Sequence, residues 1–186
     1  SVEFSQYSVE EGLSNTRVIS LFEDKKGNIW AGTYGGGVNK ISFKNKGKTD
    51  EQVYIKSYNE TEGLSNGIIW SIEEDAEGNM WFGTEGGGIN KFSGEIFINY
   101  STKDGLSKNE VVSIIEDTLG NIWLGTIGGG VNFFDGKIFT KYNHSNGLKN
   151  DQVWSMLEDI EGILWLGTYS GIKRLHPDYF YNHRTS

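Results

Sequence analysis

Four copies of one repeat account for most of this sequence. Each copy has an apolar run, an acidic turn, a tryptophan and a Gly-Thr pair, and the tryptophans at equivalent positions are Trp30, Trp81, Trp123 and Trp165. These positions are separated by 51, 42 and 42 residues. No stretch shows sustained helical periodicity, and a period of about 42 residues that contains several short strands is typical of a β-propeller blade.

Each repeat is predicted to form four short β-strands. In the first repeat these are residues 18–23, 29–33, 37–41 and about 53–58, which are rich in β-branched and aromatic residues and are bounded by turn residues. The polar insertion 44–52 lengthens the connection between the last two strands and explains the longer first step. The four tryptophans are predicted to fill the space between adjacent sheets, because every repeat needs the same packing.

Two recurring turn motifs are predicted to be structural. An Asp-x-x-Gly turn joins the first two strands, since Asp begins a type I turn and Gly supplies a positive φ at its end. A calcium loop is the less favoured interpretation, because each turn has too few oxygen ligands. The triple glycines 35–37, 86–88 and 128–130 precede a strand rather than a helix, which favours a tight hairpin over a phosphate-binding loop.

Together the repeats predict an all-β fold, a β-propeller of four four-stranded blades in residues 1–175, followed by a C-terminal tail, 176–186. The blades are expected at about 18–58, 69–100, 111–142 and 153–175. The fourth repeat contains only three strands, so the N-terminal strand, residues 2–7, is predicted to complete it and to close a monomeric ring. The alternative is an arc of a larger propeller, completed by homo-oligomerisation through its exposed ends.

The composition excludes several classes of function. The formal net charge is −8, and the densest basic run, residues 44–48, lies in the irregular insertion, which argues against a nucleic-acid partner. No apolar run of transmembrane length and no signal peptide are present, so no direct membrane insertion is expected. The chain has no cysteine, which removes disulfides and thiolate chemistry, and no cofactor is expected.

The string GLSN-x-x-V-x-S-I-x-E-D-x-x-G-N-I-W-x-G-T-x-G-G-G-V-N resembles the two-component regulator propeller repeat. The match covers nearly all of residues 2–175 and is best in 63–92 and 105–134. The fourth copy departs, because Ile163 replaces the turn Asn and the loop 169–171 is one residue shorter. The resemblance implies a periplasmic or extracellular sensor region of a bacterial hybrid histidine kinase, many of which respond to oligosaccharides. No kinase, receiver or DNA-binding segment accompanies it in this sequence.

Three sets of equivalent positions keep the repeat's backbone pattern but vary in side chain. Two are expected in loops on one rim, and the third on the innermost strands. The residues predicted to bind ligand are Arg17, Tyr34, Trp70, Glu85, Glu110, Gln152, Trp154 and Tyr169. Their aromatic, carboxylate, amide and guanidinium groups suit a neutral or mildly cationic polyhydroxylated ligand such as an oligosaccharide. Ordinary loop variation is the alternative. Trp70 and Trp154 are predicted to face each other across the ring, where they clamp a ligand or plug the centre.

Catalysis is not expected from this pattern. The histidines His144, His176 and His183 do not repeat and lie off the inner strands, so a metal cluster or a catalytic triad is hard to assemble. Related propellers include antibiotic-inactivating lyases, but their metal and histidine base have no counterpart here. The repeated glutamates that precede each acidic turn are predicted to be structural. The sequence therefore predicts a ligand-sensing module that is not an enzyme, with a protein-interaction or oligomerisation scaffold as the alternative.

Overall fold

Four antiparallel β-sheets make up the part of the chain that the computed structural model describes, residues 4–148 and 150–175. Blade 1 consists of β1 (Val18–Glu23), β2 (Ile29–Thr33), β3 (Val38–Lys44) and β4 (Gln52–Tyr58). Blade 2 consists of β5 (Ile69–Glu74), β6 (Met80–Thr84), β7 (Ile89–Phe92) and β8 (Phe97–Tyr100). Blade 3 consists of β9 (Val111–Glu116), β10 (Ile122–Thr126), β11 (Gly130–Phe134) and β12 (Phe139–Tyr142). Blade 4 consists of β13 (Val153–Glu158), β14 (Leu164–Thr168) and β15 (Gly171–Leu175). The predicted all-β propeller with four blades is confirmed.

Successive blades are joined by single 3₁₀ turns, at Glu60–Glu62, Thr102–Asp104 and His144–Asn146. Each turn ends on a glycine in the left-handed region, Gly63, Gly105 or Gly147, with φ of 105°, 106° and 107°. A side chain at such a φ is strained, and this requirement explains why glycine recurs at the start of the repeat motif.

The blades pack in chain order. The first strand of each blade lies against that of the next, so β1 contacts β5, β5 contacts β9 and β9 contacts β13. Both β1 and β13 lie in the described part of the chain, but they are not packed against each other as the other pairs of first strands are. The blades therefore form an arc whose two ends do not meet, which is the alternative that the sequence left open.

The segment predicted to complete blade 4 does not do so in the described residues. Residues 4–7 form no strand, the side chain of Phe4 is 90 % exposed, and the sheet of blade 4 has three strands. Residues 1–3 and the predicted tail 176–186 lie outside the described residues. The physical reason is distance along the arc, because residues 4–7 lead directly into blade 1 and blade 1 is not beside blade 4.

Three hydrophobic cores lie between neighbouring blades rather than within them. Trp30 of blade 1 packs with Ile69 and Phe82 of blade 2, and its equivalents Trp81 and Trp123 are buried in the same way against blades 3 and 4. The predicted role of these tryptophans as packing between sheets is confirmed. Trp165 is only half-buried, because the described structure places no blade beyond blade 4.

The acidic turns hold the tryptophans in place. In every blade the turn aspartate accepts a hydrogen bond from the indole Nε1 six residues later, and the four pairs are Asp24–Trp30, Asp75–Trp81, Asp117–Trp123 and Asp159–Trp165, at 2.9, 2.9, 2.8 and 2.7 Å. A buried indole N–H needs an acceptor, and this bond supplies it. The aspartate at this position is therefore explained by packing as well as by turn geometry.

The repeated glutamates connect one blade to the next. Glu74 accepts a 2.6 Å hydrogen bond from the backbone N–H of Lys25, which lies in the acidic turn of the preceding blade. Glu116 and Glu158 accept equivalent bonds from Ala76 and Thr118, each at 2.9 Å. Glu23 lies in the first of the described blades and forms an exposed 3.1 Å ion pair with Lys46. This pattern agrees with the predicted structural role of the glutamates.

Candidate functional site

The loop face is the surface formed by the loops after each second strand and by the residues just before each first strand. Its backbone is fixed by hydrogen bonds between blades. The amides of Gly35 and Gly37 both donate to the carbonyl oxygen of Gly67 in the next blade, at 3.0 and 2.8 Å. The amides of Gly86 and Gly88 donate likewise to Asn109, at 3.2 and 2.9 Å. The triple-glycine loop is therefore a blade-to-blade connector.

These connections bring the two predicted loop columns together. In blades 1 to 3, the residue after the Gly-Thr pair forms an isolated antiparallel bridge with the residue before the first strand of the next blade, which gives the pairs Tyr34–Ile68, Glu85–Glu110 and Ile127–Gln152. The predicted placement of both columns on one rim agrees with these bridges. Each blade boundary thus carries its own pair of side chains.

A β-bulge positions the third column. The register between first and second strands shifts at Ile19, Trp70, Val112 and Trp154, so these residues have no partner in the ladder. A bulge bends the strand and re-aims the extra side chain. The glycine of the Gly-Thr pair accommodates this kink, because a Cβ on Gly83 would overlap the hydroxyl of Ser71, which follows the bulge.

The densest group of predicted site residues lies across the boundary between blades 1 and 2. The Arg17 guanidinium carbon lies 4.0 Å from the centre of the Tyr34 ring, and Trp70 meets the same ring edge-on at 6.4 Å. Arg17 is exposed, while Tyr34 and Trp70 are half-buried. The three side chains combine a cation, two aromatic surfaces and an accessible edge within one patch.

A second aromatic pair lies on blade 4. Trp154 contacts Tyr169 edge-on at 5.7 Å, and the two side chains are 46 % and 71 % exposed. Among the described side chains, no ring contact joins Trp154 to Trp70, and each tryptophan instead contacts a tyrosine. The sequence predicted that a closed ring would set the two tryptophans opposite each other, and the described blades do not close into that ring.

Two carboxylates occupy the boundary between blades 2 and 3. Glu85 and Glu110 are bridge partners and both are half-buried. Within the described structure, Oε2 of Glu85 is buried and has no hydrogen-bond partner. Gln152, half-buried beside Ile127, supplies an amide at the next boundary.

One titratable residue was missed by the sequence reasoning. Burial raises the pKa of Glu73 to about 7, and the neighbouring carboxylates Glu116 and Glu74 act in the same direction, against a backbone hydrogen bond and Lys25. The equivalent residues in the other repeats are Phe22, Ile115 and Leu157. The sequence could have indicated Glu73, because it places a carboxylate where the other three repeats have an apolar side chain.

Residues 4–148 and 150–175 contain neither a metal-binding cluster nor a membrane-spanning helix. No group of three or more His, Cys, Asp and Glu side chains there could hold a metal ion. His144 is exposed in a connecting turn, where its Nδ1 lies 2.6 Å from Oδ2 of Asp151. His176 and His183 lie outside the described residues. The helices of this region are too short and too polar to cross a membrane.

Blades of antiparallel strands that pack through their first strands define a β-propeller domain. The two component regulator propeller model matches residues 12–35, 63–86, 105–128 and 147–170, which together are more than half of the chain. The chain belongs to the two component regulator propeller family. No curated protein matches it.

Solved structures with the same fold include two extracellular domains from B. thetaiotaomicron. The extracellular domain of the hybrid two component system BT3049 is 28 % identical, with a TM-score of 0.80, over 97 % of this chain and 24 % of that one. The corresponding domain of BT4673 is also 28 % identical, with a TM-score of 0.70, over 88 % of this chain and 24 % of that one. The chain thus spans about a quarter of the length of these domains.

The chain is also similar to an enzyme of known structure, and this similarity is limited to the fold. Virginiamycin B lyase from Staphylococcus aureus is 18 % identical, with a TM-score of 0.59, over 86 % of this chain and 55 % of that one. At this identity the comparison carries no statement about activity.

Proposed function

We propose that this domain is the sensor module, or part of it, of a two component regulator and that it binds a polyhydroxylated ligand such as an oligosaccharide on its loop face. The observation that carries the proposal is the cluster of Arg17, Tyr34 and Trp70, in which a guanidinium lies 4.0 Å from a tyrosine ring that also contacts a tryptophan. These groups come from two blades and share an accessible surface.

The chemistry of the rim fits a sugar better than an apolar or strongly anionic ligand. Half-exposed aromatic rings offer flat surfaces to the apolar faces of a sugar, and a few polar groups beside them fix its orientation. Glu85, Glu110 and Gln152 provide hydrogen-bond acceptors and an amide donor along the same rim. The chain's net charge of −8 disfavours a polyanionic ligand.

The cluster spans a blade boundary, which links ligand binding to propeller stability. A ligand that contacts Tyr34 of blade 1 and Trp70 of blade 2 binds the assembled arc and not the separated blades. Binding of this kind raises the free energy of unfolding with ligand concentration. A rise in melting temperature is therefore expected on ligand addition.

The comparisons support an extracellular or periplasmic, non-enzymatic role. The similar structures from B. thetaiotaomicron are extracellular domains of two component systems. Family membership favours recognition over catalysis, and the histidine of the described residues, His144, lies in an exposed connecting turn, where its side chain contacts Asp151. The proposed role is therefore extracellular or periplasmic and is not catalytic.

Direct binding measurements on the rim variants test this function. A panel of neutral oligosaccharides is titrated into the protein while tryptophan fluorescence and heat are recorded. Tyr34→Ala and Trp154→Ala are expected to weaken binding at least tenfold with an unchanged circular dichroism spectrum. Tyr54→Ala is the matched control, because Tyr54 is an exposed tyrosine on the outer strand β4. Equal binding by all three variants and the parent would rule out this site.

A further inference from the structure

The rim residues of neighbouring blades are joined into one row by their backbones. The amide of Glu85 donates a 3.1 Å hydrogen bond to the carbonyl oxygen of Ile68, which is itself the bridge partner of Tyr34. Glu85 is in turn the bridge partner of Glu110, and the carbonyl oxygen of Glu110 accepts a 3.0 Å bond from the amide of Ile127. We call this row the rim ladder, and its spatial order is Tyr34, Ile68, Glu85, Glu110 and Ile127.

The rim ladder places a pair of carboxylates beside the aromatic cluster. Ile68 separates Tyr34 from Glu85 in the row, and Trp70 lies against the Tyr34 ring at 6.4 Å. Neighbouring backbones in a β-ladder lie about 4.8 Å apart, so two steps along the row span roughly 10 Å. A single ligand of a few sugar units can therefore contact the aromatic rings and the carboxylates together.

The repeat does not require a carboxylate at either of these positions. The glutamates that recur in every copy, such as Glu74, accept hydrogen bonds that connect one blade to the next. At the positions of Glu85 and Glu110 the other copies have no acidic residue. Their residues are Tyr34, Ile127 and Tyr169 at the first position and Arg17, Ile68 and Gln152 at the second. The architecture of the blade therefore does not explain the pair.

The placement of the two carboxylates is unfavourable for folding. Bridge partners project their side chains to the same face, and like charges directly opposite each other destabilise a sheet. The ion pairs of the described residues involve other carboxylates, so no basic side chain there is paired with Glu85 or Glu110. Blade 2, residues 69–100, has six acidic residues and one lysine. A local conflict of this kind is typical of a functional site, and a cation beside the pair would relieve it.

The two carboxylates fit an ammonium group better than a metal ion. Calcium takes about six to eight oxygen ligands, and no group of three or more His, Cys, Asp and Glu side chains in the described structure could hold a metal ion. An ammonium group donates three hydrogen bonds and carries one positive charge, which two facing carboxylates can accept and balance. Because the adjacent rings offer flat apolar surfaces, the ammonium group is expected to be carried by a sugar.

Arg17 gives the rim a direction. Its carbonyl oxygen accepts a 2.9 Å hydrogen bond from the amide of Tyr34, and its guanidinium carbon lies 4.0 Å from the centre of the Tyr34 ring. The aromatic cluster thus has a cation at one end and, two steps along the rim ladder, the carboxylates of Glu85 and Glu110. A ligand ammonium group is repelled at the first end and attracted at the second.

We propose that the ligand of the rim is an oligosaccharide with free amino groups, in which one sugar ring lies on Tyr34 and Trp70 and the ammonium group of a neighbouring unit binds between Glu85 and Glu110. This inference rests on the proposed function and narrows its ligand from polyhydroxylated compounds in general to amino sugars. The aromatic rings supply affinity for any sugar of suitable shape. The carboxylate pair supplies the selectivity for the charged one.

Two tetrasaccharides that differ in one functional group test the proposal. The probe is the β-1,4-linked tetramer of glucosamine, and the reference is cellotetraose, which has the same linkage and a hydroxyl in place of each amine. Both are titrated calorimetrically into the full chain in a mildly acidic buffer of low ionic strength, which keeps the amines protonated. The glucosamine tetramer is expected to bind at least about tenfold more tightly than cellotetraose, and added salt is expected to reduce that ratio.

Three glutamine variants assign the selectivity to the pair. Glu85→Gln and Glu110→Gln are expected to bring the affinity ratio of the two sugars close to one, with the affinity for cellotetraose little changed. Glu110→Gln is also expected to raise the melting temperature of the ligand-free protein, because it removes one of two facing charges. Glu95→Gln is the matched control, since it removes a negative charge from an exposed turn of the same blade and should keep the ratio of the parent.

The outcomes separate this inference from the proposed function. Equal binding of the two sugars by the parent would overturn the amino-sugar inference and leave an oligosaccharide site in place. A preference that survives both Glu85→Gln and Glu110→Gln, or one that Glu95→Gln abolishes equally, would also overturn it. Binding of neither sugar would contradict the inference and the proposed function together, whereas Tyr34→Ala with unchanged affinity for both sugars would contradict the aromatic site.

Discussion

Trp81 donates a 2.9 Å hydrogen bond from its indole Nε1 to Oδ2 of Asp75, and both side chains are buried between blades 2 and 3. Burial opposes ionisation of this carboxyl group, but hydrogen bonds from Asn79, Trp81 and the backbone outweigh it and lower the pKa of Asp75. The same pair recurs in every blade and joins the outer turn to the core between blades. Its strength should therefore depend on whether a neighbouring blade buries it.

The first prediction follows from that dependence. Asp75→Ala leaves a buried indole N–H without its acceptor, and such a loss costs about 1–3 kcal/mol. Asp159→Ala should cost less, because its partner Trp165 on blade 4 is only half-buried. Urea unfolding followed by tryptophan fluorescence measures both values under conditions that keep the chain monomeric. Equal losses would contradict a role for burial.

The second prediction concerns the last glycine of the triple-glycine loop. Gly88 has a φ of 81°, and a Cβ there would overlap the backbone carbonyl oxygen of Tyr100. Gly88→Ala is therefore expected to prevent normal packing of blade 2 and to cost more than the strain of about 1–2 kcal/mol that a positive φ alone imposes.

Gly94→Ala is the matched control for this change. Gly94 has a φ of 98° but no atom within 4 Å of a Cβ, so it carries the strain without the overlap. Thermal unfolding should show a small decrease for Gly94→Ala and a much larger one for Gly88→Ala. A similar decrease for both would mean that the overlap is relieved by movement of the strand.

The third prediction concerns pH. The folded protein holds a proton on Glu73 up to a pH of about 7, whereas the unfolded chain releases it near the ordinary value of 4.5. The contribution of Glu73 to folding therefore becomes less favourable as the pH rises from about 4.5 to about 7. Glu73→Gln removes this titration, so its free energy of unfolding should fall less than that of the parent between pH 5 and pH 8. Identical pH profiles would show that Glu73 ionises normally.

The fourth prediction concerns the asparagine that holds the loop face to the blade. Asn90 is buried, its Oδ1 accepts a 2.9 Å bond from the amide of Ser65, and its Nδ2 donates a 2.8 Å bond to the hydroxyl of the same residue. Asn90→Ala is expected to cost about 1–3 kcal/mol and to increase amide hydrogen exchange in residues 63–68. Asn99→Ala removes an exposed 3.1 Å bond to Gly63 and serves as the control, with a loss below about 1 kcal/mol. Unchanged exchange in Asn90→Ala would show that the loop is held by its backbone bonds alone.

Much of the local structure was predictable from the repeat. The strands of the first three blades, the Asp-x-x-Gly turns and the packing role of the tryptophans follow from the hydrophobic pattern and from turn chemistry. The β-bulges at Trp70 and Trp154 were not predicted, because the repeat pattern does not show which residue of the first strand lacks a partner in the ladder. Their consequence, the contacts of these tryptophans with Tyr34 and Tyr169, therefore required the structure.

The sequence by itself determined the unit of construction, because every residue that defines a blade lies within about 42 residues of its partners. The number of blades, the order of strands and the candidate rim all depend on contacts of this range. Only the tertiary structure decided whether the blades close, because closure depends on the angle between successive blades summed over the whole chain. The packing of each tryptophan against the next blade contributes to that angle, and in the described residues β1 and β13 remain apart.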